Sequence, residues 1–381
     1  MIVSRAVLKN WRNFQKADVQ MTDRVFLVGP NASGKSNFLD VFRFLRDIAK
    51  PGGGLQKAVE DRGGLSKIRC LAARRDPTVE IEVYLAESAD KEPRWRYSIG
   101  IKQEVRGNRQ PYLTHERVWE DDEPLISRPD KMDKNDRLRL TQTHLEQINS
   151  NELFREISRF FESVQYLHIV PQLLRHPEAF PGPEIPGDPF GRKFLEHVAK
   201  TQEKTRKSRL KKIEIALQTA VPQLKHLSFV KDNSGFPHLE AVYEHWRAKG
   251  GKQREDQFSD GTLRLIGLLW SLLEGDSLLL LEEPELSLNA GIICKLAPLI
   301  AKLQRQKGRQ VMISTHSADL LSDKGIGGEM VLVLTPSKEG TEVHPSSSDQ
   351  EIMDLLEGGF SIADAVLPRT APQKALTEWE I

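Results

Sequence analysis

Two cysteines, Cys70 and Cys294, are all that a chain of 381 residues contains. They lie far apart and form no CxxC pair, which argues against a disulfide framework and against a structural zinc site. Both are expected as core thiols of a protein kept in a reducing interior. Long apolar stretches are missing too. No run approaches the roughly 20 residues that cross a bilayer, and the N-terminal MIVSRAVLKNWRNF alternates like a strand where a leader would carry an apolar block. The expectation is a soluble, cytoplasmic protein with no membrane partner. Net charge is almost absent, with 55 basic against 54 acidic residues, so any grip on nucleic acid needs a local patch. Repeats, low-complexity tracts and long heptad arms are absent as well.

What is present is an α/β pattern. Residues 1–9 read as a strand, 10–14 as a turn and 25–28 as a short buried strand, and Phe38, Leu39, Val41, Phe42 and Leu45 then recur at helical spacing. Period two takes over across 78–120, the mark of an antiparallel meander. Residues 130–163 are polar and read as helical, and SVQYLHIV reads as a strand. Pro171, Pro177, Pro181, Pro183, Pro186 and Pro189 cannot continue a helix or a central strand and predict a loop at a lobe boundary. A helical segment over 190–221 follows, with Leu210, Ile213 and Leu217 on one face. Two strands near 227–230 and 239–243, an apolar helix after Phe258, a buried strand SLLLLEEPE, a helix over 290–304, a second buried strand QVMISTHS, a hairpin MVLVLTPSKEGTEVH and a short helix near 351–356 complete the chain.

Three motifs carry chemistry. Gly29-Pro-Asn-Ala-Ser-Gly34-Lys35-Ser36 has the form GxxxxGK[ST] between an apolar strand and a helix. In that setting backbone N–H groups converge on phosphates at a helix N-terminus, Lys35 reaches the β/γ oxygens and the Ser36 hydroxyl ligates Mg²⁺. The bland alternative is a chance glycine-rich turn. Leu278–Leu281 followed by Glu282-Glu283-Pro284-Glu285 brings acids out at the carboxyl end of a buried strand. Glu282 would hold Mg²⁺, and Glu283 would orient or deprotonate the attacking water; taken alone, the segment is equally an ordinary strand with an acidic end. His316, after another buried strand, is either a donor to a γ-phosphate or an unremarkable histidine.

Together with Phe258-Ser-Asp-Gly-Thr-Leu-Arg264, these motifs resemble the ABC-type ATPase heads of the SMC, RecF and OLD families. The order Asn10-Trp-Arg-Asn-Phe14, GPNASGKSN with Asn31 and Asn37, SDGT, EEPE and STHS carries the resemblance to about residue 322. It implies an α/β P-loop NTPase head with an antiparallel β subdomain and a helical lobe inserted in the core. ATP and Mg²⁺ are the implied cofactors. The implied nucleotide contacts are Arg12, Gly29, Asn31, Ser33, Gly34, Lys35, Ser36 and Asn37, with Glu283, His316 and Lys35 catalytic. Ser36, Glu282 and Gln172 are the implied metal ligands. Gln172 sits in IVPQLLR and is either this Q-loop residue or a plain loop residue. The resemblance further implies a dimer that closes face to face on ATP, with Ser259, Asp260 and Gly261 completing the site of the opposite copy. Two departures stand out. Glu282 replaces a commoner Asp, and ELSLNAG lacks the histidine and proline often found after the second acid, so the contact loop at 287–289 is less defined.

The expected organisation is an N-terminal lobe 1–170, a proline-rich loop and helical insertion 171–257, the second half of the ATPase core 258–335 and a tail 336–381. No acidic cluster of the Toprim kind and no HNH spacing follows His316, so a nuclease, if one is involved, is a separate partner. Lys200, Lys204, Arg206, Lys207, Arg209, Lys211 and Lys212 form either a face for double-stranded DNA phosphates or a solvated helix face. Trp11, Trp95, Trp119, Trp246 and Trp270 do not interleave with basic residues and read as packing. Three functions fit: an ATPase switch of a prokaryotic anti-phage or genome-maintenance system that controls an effector, a DNA-binding repair clamp, and the nucleotide-binding subunit of a transporter.

Overall fold

The computed structural model describes residues 1–370 except 75, 105–108, 181, 183, 184, 186 and 245–250. Of the residues singled out above, Pro181, Pro183, Pro186 and Trp246 lie outside the described ones. The chain divides into two compact units, one made of Met1–Val164 with Arg309–Ile381 and the other of Gln165–Gly308.

The first unit holds two sheets. The antiparallel sheet runs in the order Phe14–Gln20, Ile2–Trp11, Val79–Ala86, Trp95–Gln103, Pro111–Glu120 and Glu123–Arg128. Its period-two pattern places Val79, Ile81, Val83 and Leu85 in the core, as alternation on a half-buried sheet requires. The turn expected at 10–14 is a tight hairpin in which Trp11 pairs with Phe14, and it leads into a strand the sequence pattern did not separate from the loop. In the second sheet Arg24–Val28 lies between Val311–Ser314 and Val331–Ser337, parallel to both, and Gly340–Pro345 extends the edge antiparallel. Val25 to Val28 are all buried, which is why that strand reads as a continuous apolar run and not as an alternation. The helix Lys35–Ala49 follows it, with the Phe44 ring 5.2 Å from Trp11 and Phe38 6.1 Å from Phe14.

Residues 130–163 do not form the helical segment their polarity suggested. A one-turn helix at Lys131–Asn135 and 3-10 turns at Arg137–Thr141 and Glu152–Phe154 precede a longer helix, Arg155–Glu162. The organising element is a buried guanidinium: Arg128 donates to Glu116 and Asp133 at 2.9 Å and to the carbonyls of Arg139 and Gln142. Burial alone would raise the Asp133 carboxyl; the bond from Arg128 and the Asp130 N–H hold it well below the usual carboxylate range.

The second unit pairs Gln165–Leu167 with Leu279–Glu282 in parallel and carries a separate antiparallel sheet of Leu224–Lys231, Pro237–Tyr243 and Gly251–Arg254. The segment expected as one helix over 190–221 is two, Phe194–Lys200 and Glu203–Leu217. Leu210, Ile213 and Leu217 pack in a core with Leu239, Phe258, Ile266 and Trp270. The helix expected over 290–304 breaks into Ala290–Ile293 and Leu296–Lys307, because Pro298 has no N–H for the carbonyl four residues back and its ring crowds that position. Cys70 is buried as expected, but Cys294, at this break, is exposed and so is not a core thiol. Among the described residues no helix is long and apolar enough to cross a membrane.

Candidate functional site

In the first unit the glycine loop joins the buried strand to the N-terminus of Lys35–Ala49. Gly34 caps that helix with φ 100° and ψ 18°, a left-handed conformation that glycine adopts without strain. A Cβ there would fall 2.1 Å from Asn13 Nδ2. Asn13, at the hairpin of the first two strands, donates to the Ser33 carbonyl at 2.8 Å and to Thr341 Oγ1 at 2.6 Å, and accepts from Asn37 Nδ2 at 2.8 Å. Trp11 Nε1 donates to the Asn37 carbonyl at 2.8 Å. The loop is thus fixed from both chain ends by neutral hydrogen bonds, and the first-turn amides of the helix have no intrahelical acceptor. The Lys35 ammonium donates to the carbonyls of Gly29 and Pro30 at 3.0 and 3.1 Å. Asn31 and Ser36 are exposed. Ser33 is fully buried, and among the described residues its hydroxyl has no hydrogen-bond partner, a donor that they leave unsatisfied.

His316 emerges beside this loop. Ser314 pairs with Leu27, and Thr315 donates to the Leu27 carbonyl, so the parallel register brings 315–317 to the same carboxyl edge at which Gly29 begins; His316 is exposed there. Arg12 has an occupied guanidinium. Its Nη2 donates to Asp40 at 2.8 Å, on the helix that follows the loop, and Asp40 also receives Arg62 at 2.8 Å. Arg12 is therefore anchored one turn behind the phosphate loop by an ion pair, with its Nε buried and without a partner among the described residues.

The second unit holds the acids and the signature. Glu282 ends its strand and accepts a hydrogen bond from the Tyr166 hydroxyl on the neighbouring strand, while its carbonyl lies 3.2 Å from His168 Nδ1. Glu283 has φ 43° and Ser287 φ 62°, so a strained turn carries the second acid and the segment after it. Ser259 caps the helix Asp260–Leu273 by accepting from Thr262 N–H, and Gly261 admits the Ser287 carbonyl so closely that a Cβ would meet it at 2.8 Å. Arg264, one turn on, is buried, and its Nε lacks a partner among the described residues. Burial pulls its pKa down, against the opposing pull of Asp260, Glu285 and Glu283.

Asp260 is held from outside its own helix. The Gln172 amide donates to its Oδ2 at 2.9 Å, and Arg175 donates to its Oδ1 at 2.6 Å and to the Phe258 carbonyl at 2.7 Å. Both donors lie on Pro171–Arg175, a short helix where the proline content predicted only loop; Pro171 takes the first helical position, where a missing N–H costs nothing. With the Gln172 amide nitrogen engaged by Asp260, only its carbonyl oxygen is left for a metal. Sequence reasoning missed Asn13, Tyr166 and Arg175. Asn13 was within reach, since it lies inside the quoted Asn10–Phe14 stretch.

The basic run is not one continuous face. Arg206 donates to the carbonyls of Val198, Ala199 and Thr201 and lies over the Phe229 ring at 4.0 Å, and Arg209 donates to Glu274 at 2.7 Å and lies over Trp270. Lys207 and Lys211 pair with Glu203 and Glu214. Lys200, Lys204 and Lys212 are exposed.

The sequence matches the family described as "AAA domain, putative AbiEii toxin, Type IV TA system" over residues 24–323. A search of curated proteins found no match. Among solved structures, an SMC head bound to the C-terminal winged-helix domain of ScpA is 12% identical, with a TM-score of 0.53 over 90% of this chain and 97% of that one. The SMC head domain from Thermotoga maritima is 13% identical, with a TM-score of 0.48 over 91% and 99%. The 0.53 match, at that identity, is a likeness of fold: an ABC-type P-loop head of mixed α/β architecture.

Proposed function

The chain belongs to this AAA-domain family, and from that premise we propose that it is an ATP-hydrolysing switch, two copies of which close face to face on ATP to control a separate effector, a nuclease, in a prokaryotic anti-phage defence or genome-maintenance system. The observation that carries the nucleotide reading is the loop around Gly34. A left-handed glycine, a helix N-terminus, the Lys35 ammonium and the unsatisfied Ser33 hydroxyl make a set of donors that fits a polyphosphate. The family description names a putative toxin of a toxin–antitoxin system, which supports a setting with a second gene product.

Bound Mg²⁺-ATP supplies the phosphoanhydride and a cation that offsets its charge. The residues of this chain then divide the work. Lys35 would leave its own loop carbonyls for the β/γ oxygens, Gly29, Asn31, Ser33, Gly34 and Asn37 would line the phosphates with Arg12 braced behind them on Asp40, and Ser36 and Glu282 would hold the metal, the latter oriented by Tyr166. Glu283 orients a water and takes its proton, and His316 donates to the γ-phosphate. Ser259, Asp260 and Gly261 serve the opposite copy, so loss of the shared anion loosens the pair. The reading places the protein in the cytoplasm. A DNA-clamp reading is left with five lysines, two of them paired, since Arg206 and Arg209 are engaged within the fold.

Steady-state ATP hydrolysis with and without double-stranded DNA, with Lys35→Ala as blank, tests this. Turnover lost in Lys35→Ala, together with an ATP-dependent dimer of Glu283→Gln, supports the switch. A Glu283→Gln protein that stays monomeric in saturating Mg²⁺-ATP rules out the shared site.

A further inference from the structure

The signature of this chain contains a contradiction in charge. Ser259-Asp260-Gly261 opens a helix of 14 residues whose N-terminus would receive an anion, yet the middle residue is an acid. An ionised carboxylate at the first helical position stabilises the helix by itself and, by the same field, opposes an approaching phosphate.

The structure supplies the counter-charge from elsewhere. Arg175 donates to Asp260 Oδ1 at 2.6 Å and, from the same Nη2, to the Phe258 carbonyl at 2.7 Å. Gln172, three residues earlier on the same short helix, donates to the other carboxylate oxygen at 2.9 Å. Both oxygens of Asp260 are therefore turned onto donors of 171–175. The pair is partly shielded, with side-chain exposures of 18% for Arg175 and 35% for Asp260, and Arg175 Nε is buried without a partner among the described residues, so the guanidinium is held in place although one of its donors gains nothing from them. A solvated surface pair gives no reason for that cost.

We propose that Arg175 is a positioning residue of the signature: it neutralises and turns aside the Asp260 carboxylate, so that the helix N-terminus can accept the γ-phosphate held by the opposite copy. This rests on the shared-site reading above. Gln172 acts in the same device and holds the second oxygen.

Charge neutralisation and mere bracing of the backbone predict different genetics. If Arg175 only braced Phe258, removal of the Asp260 charge would not compensate for its loss. If it neutralises Asp260, an amide at 260 makes it dispensable. The experiment measures the ATP concentration at half-maximal dimerisation, by light scattering after size exclusion, in a Glu283→Gln background that cannot turn over. Fluorescent-nucleotide binding by the monomer at low protein concentration serves as the folding control. Arg175→Ala is expected to raise that concentration at least tenfold, and adding Asp260→Asn is expected to restore most of the loss. Arg175→Lys, with charge but one donor position, should fall between the two. Asp260→Asn with Arg175 intact is the reference state for that rescue. An Arg175→Ala protein that dimerises normally, or a double variant as impaired as Arg175→Ala, overturns the proposal while leaving the shared site standing. If Glu283→Gln itself forms no dimer, the shared site fails, and the role of Arg175 fails with it.

Discussion

The phosphate loop and the signature are both helix N-termini suited to an anion, but they are built on different physics. Around Gly34 the shape is set by backbone and by neutral groups: a positive φ, the Asn13 amide on the Ser33 carbonyl and Thr341, and Trp11 on Asn37. Charge is kept one turn back, where Arg12 and Arg62 meet Asp40. At the signature, charge sits on the motif itself, in Asp260 with Arg175. The first arrangement is insensitive to ionic strength, and the second, a partly exposed ion pair, is open to it.

The largest effect that breaks this comparison is Gly34→Ala. A methyl group 2.1 Å from Asn13, on a backbone at φ 100°, combines a clash with left-handed strain, together about 3 kcal/mol or more. ATP affinity by calorimetry should fall at least about a hundredfold, at any ionic strength. Asn13→Ala comes next. It strands the Ser33 carbonyl and Asn37 amide, at about 2 kcal/mol in urea denaturation, with a weakening of ATP binding on the order of tenfold. Gly261→Ala tests the other side: a Cβ 2.8 Å from the Ser287 carbonyl should cost about 1–2 kcal/mol and lower turnover while leaving monomer nucleotide binding intact.

The smallest effect is one of pH and belongs to the second unit alone. The His197 ring nitrogen lies 2.8 Å from Glu274, at the C-terminus of the signature helix, and that hydrogen bond raises its pKa against the opposing effect of burial. A raised folded value means that the pair stabilises fully below the unfolded histidine pKa, near 6.5, and that the contribution fades as pH climbs through the folded value. The side chain is about half exposed, so the expected change is only a few tenths of a kcal/mol. Melting temperatures between about pH 6 and 8.5 should decline slightly more in the wild type than in His197→Gln.

How much could be read in advance follows from the same contrast. The place of the glycine loop between a buried strand and a helix, and of the acids at a strand end after Leu281, was legible because such motifs fix residue types at set spacing along one segment. The meander was legible because alternation is local. Asn13 and Arg175 were not singled out, because what gives them a role is a partner 328 residues away in one case and 85 in the other; no periodicity encodes that. Residues 130–154 misled because their polarity serves a buried ion network around Arg128 and not a solvated helix. The basic run misled in the same way: in a linear sequence, an arginine that closes a helix end onto three carbonyls looks the same as one facing water.

The strand that feeds the phosphate loop has as its two neighbours Val311–Ser314 and Val331–Ser337, so a nascent chain emerging from the ribosome holds Arg24–Val28 without its sheet until most of the polypeptide has been made. Such late closure is slow and leaves an apolar strand exposed meanwhile. A product truncated before about residue 337 would lack that sheet and the Asn13–Thr341 contact, and would not retain nucleotide. The strand before the phosphate loop is therefore a late-closing element, complete only when both sequence segments of the first unit have been made.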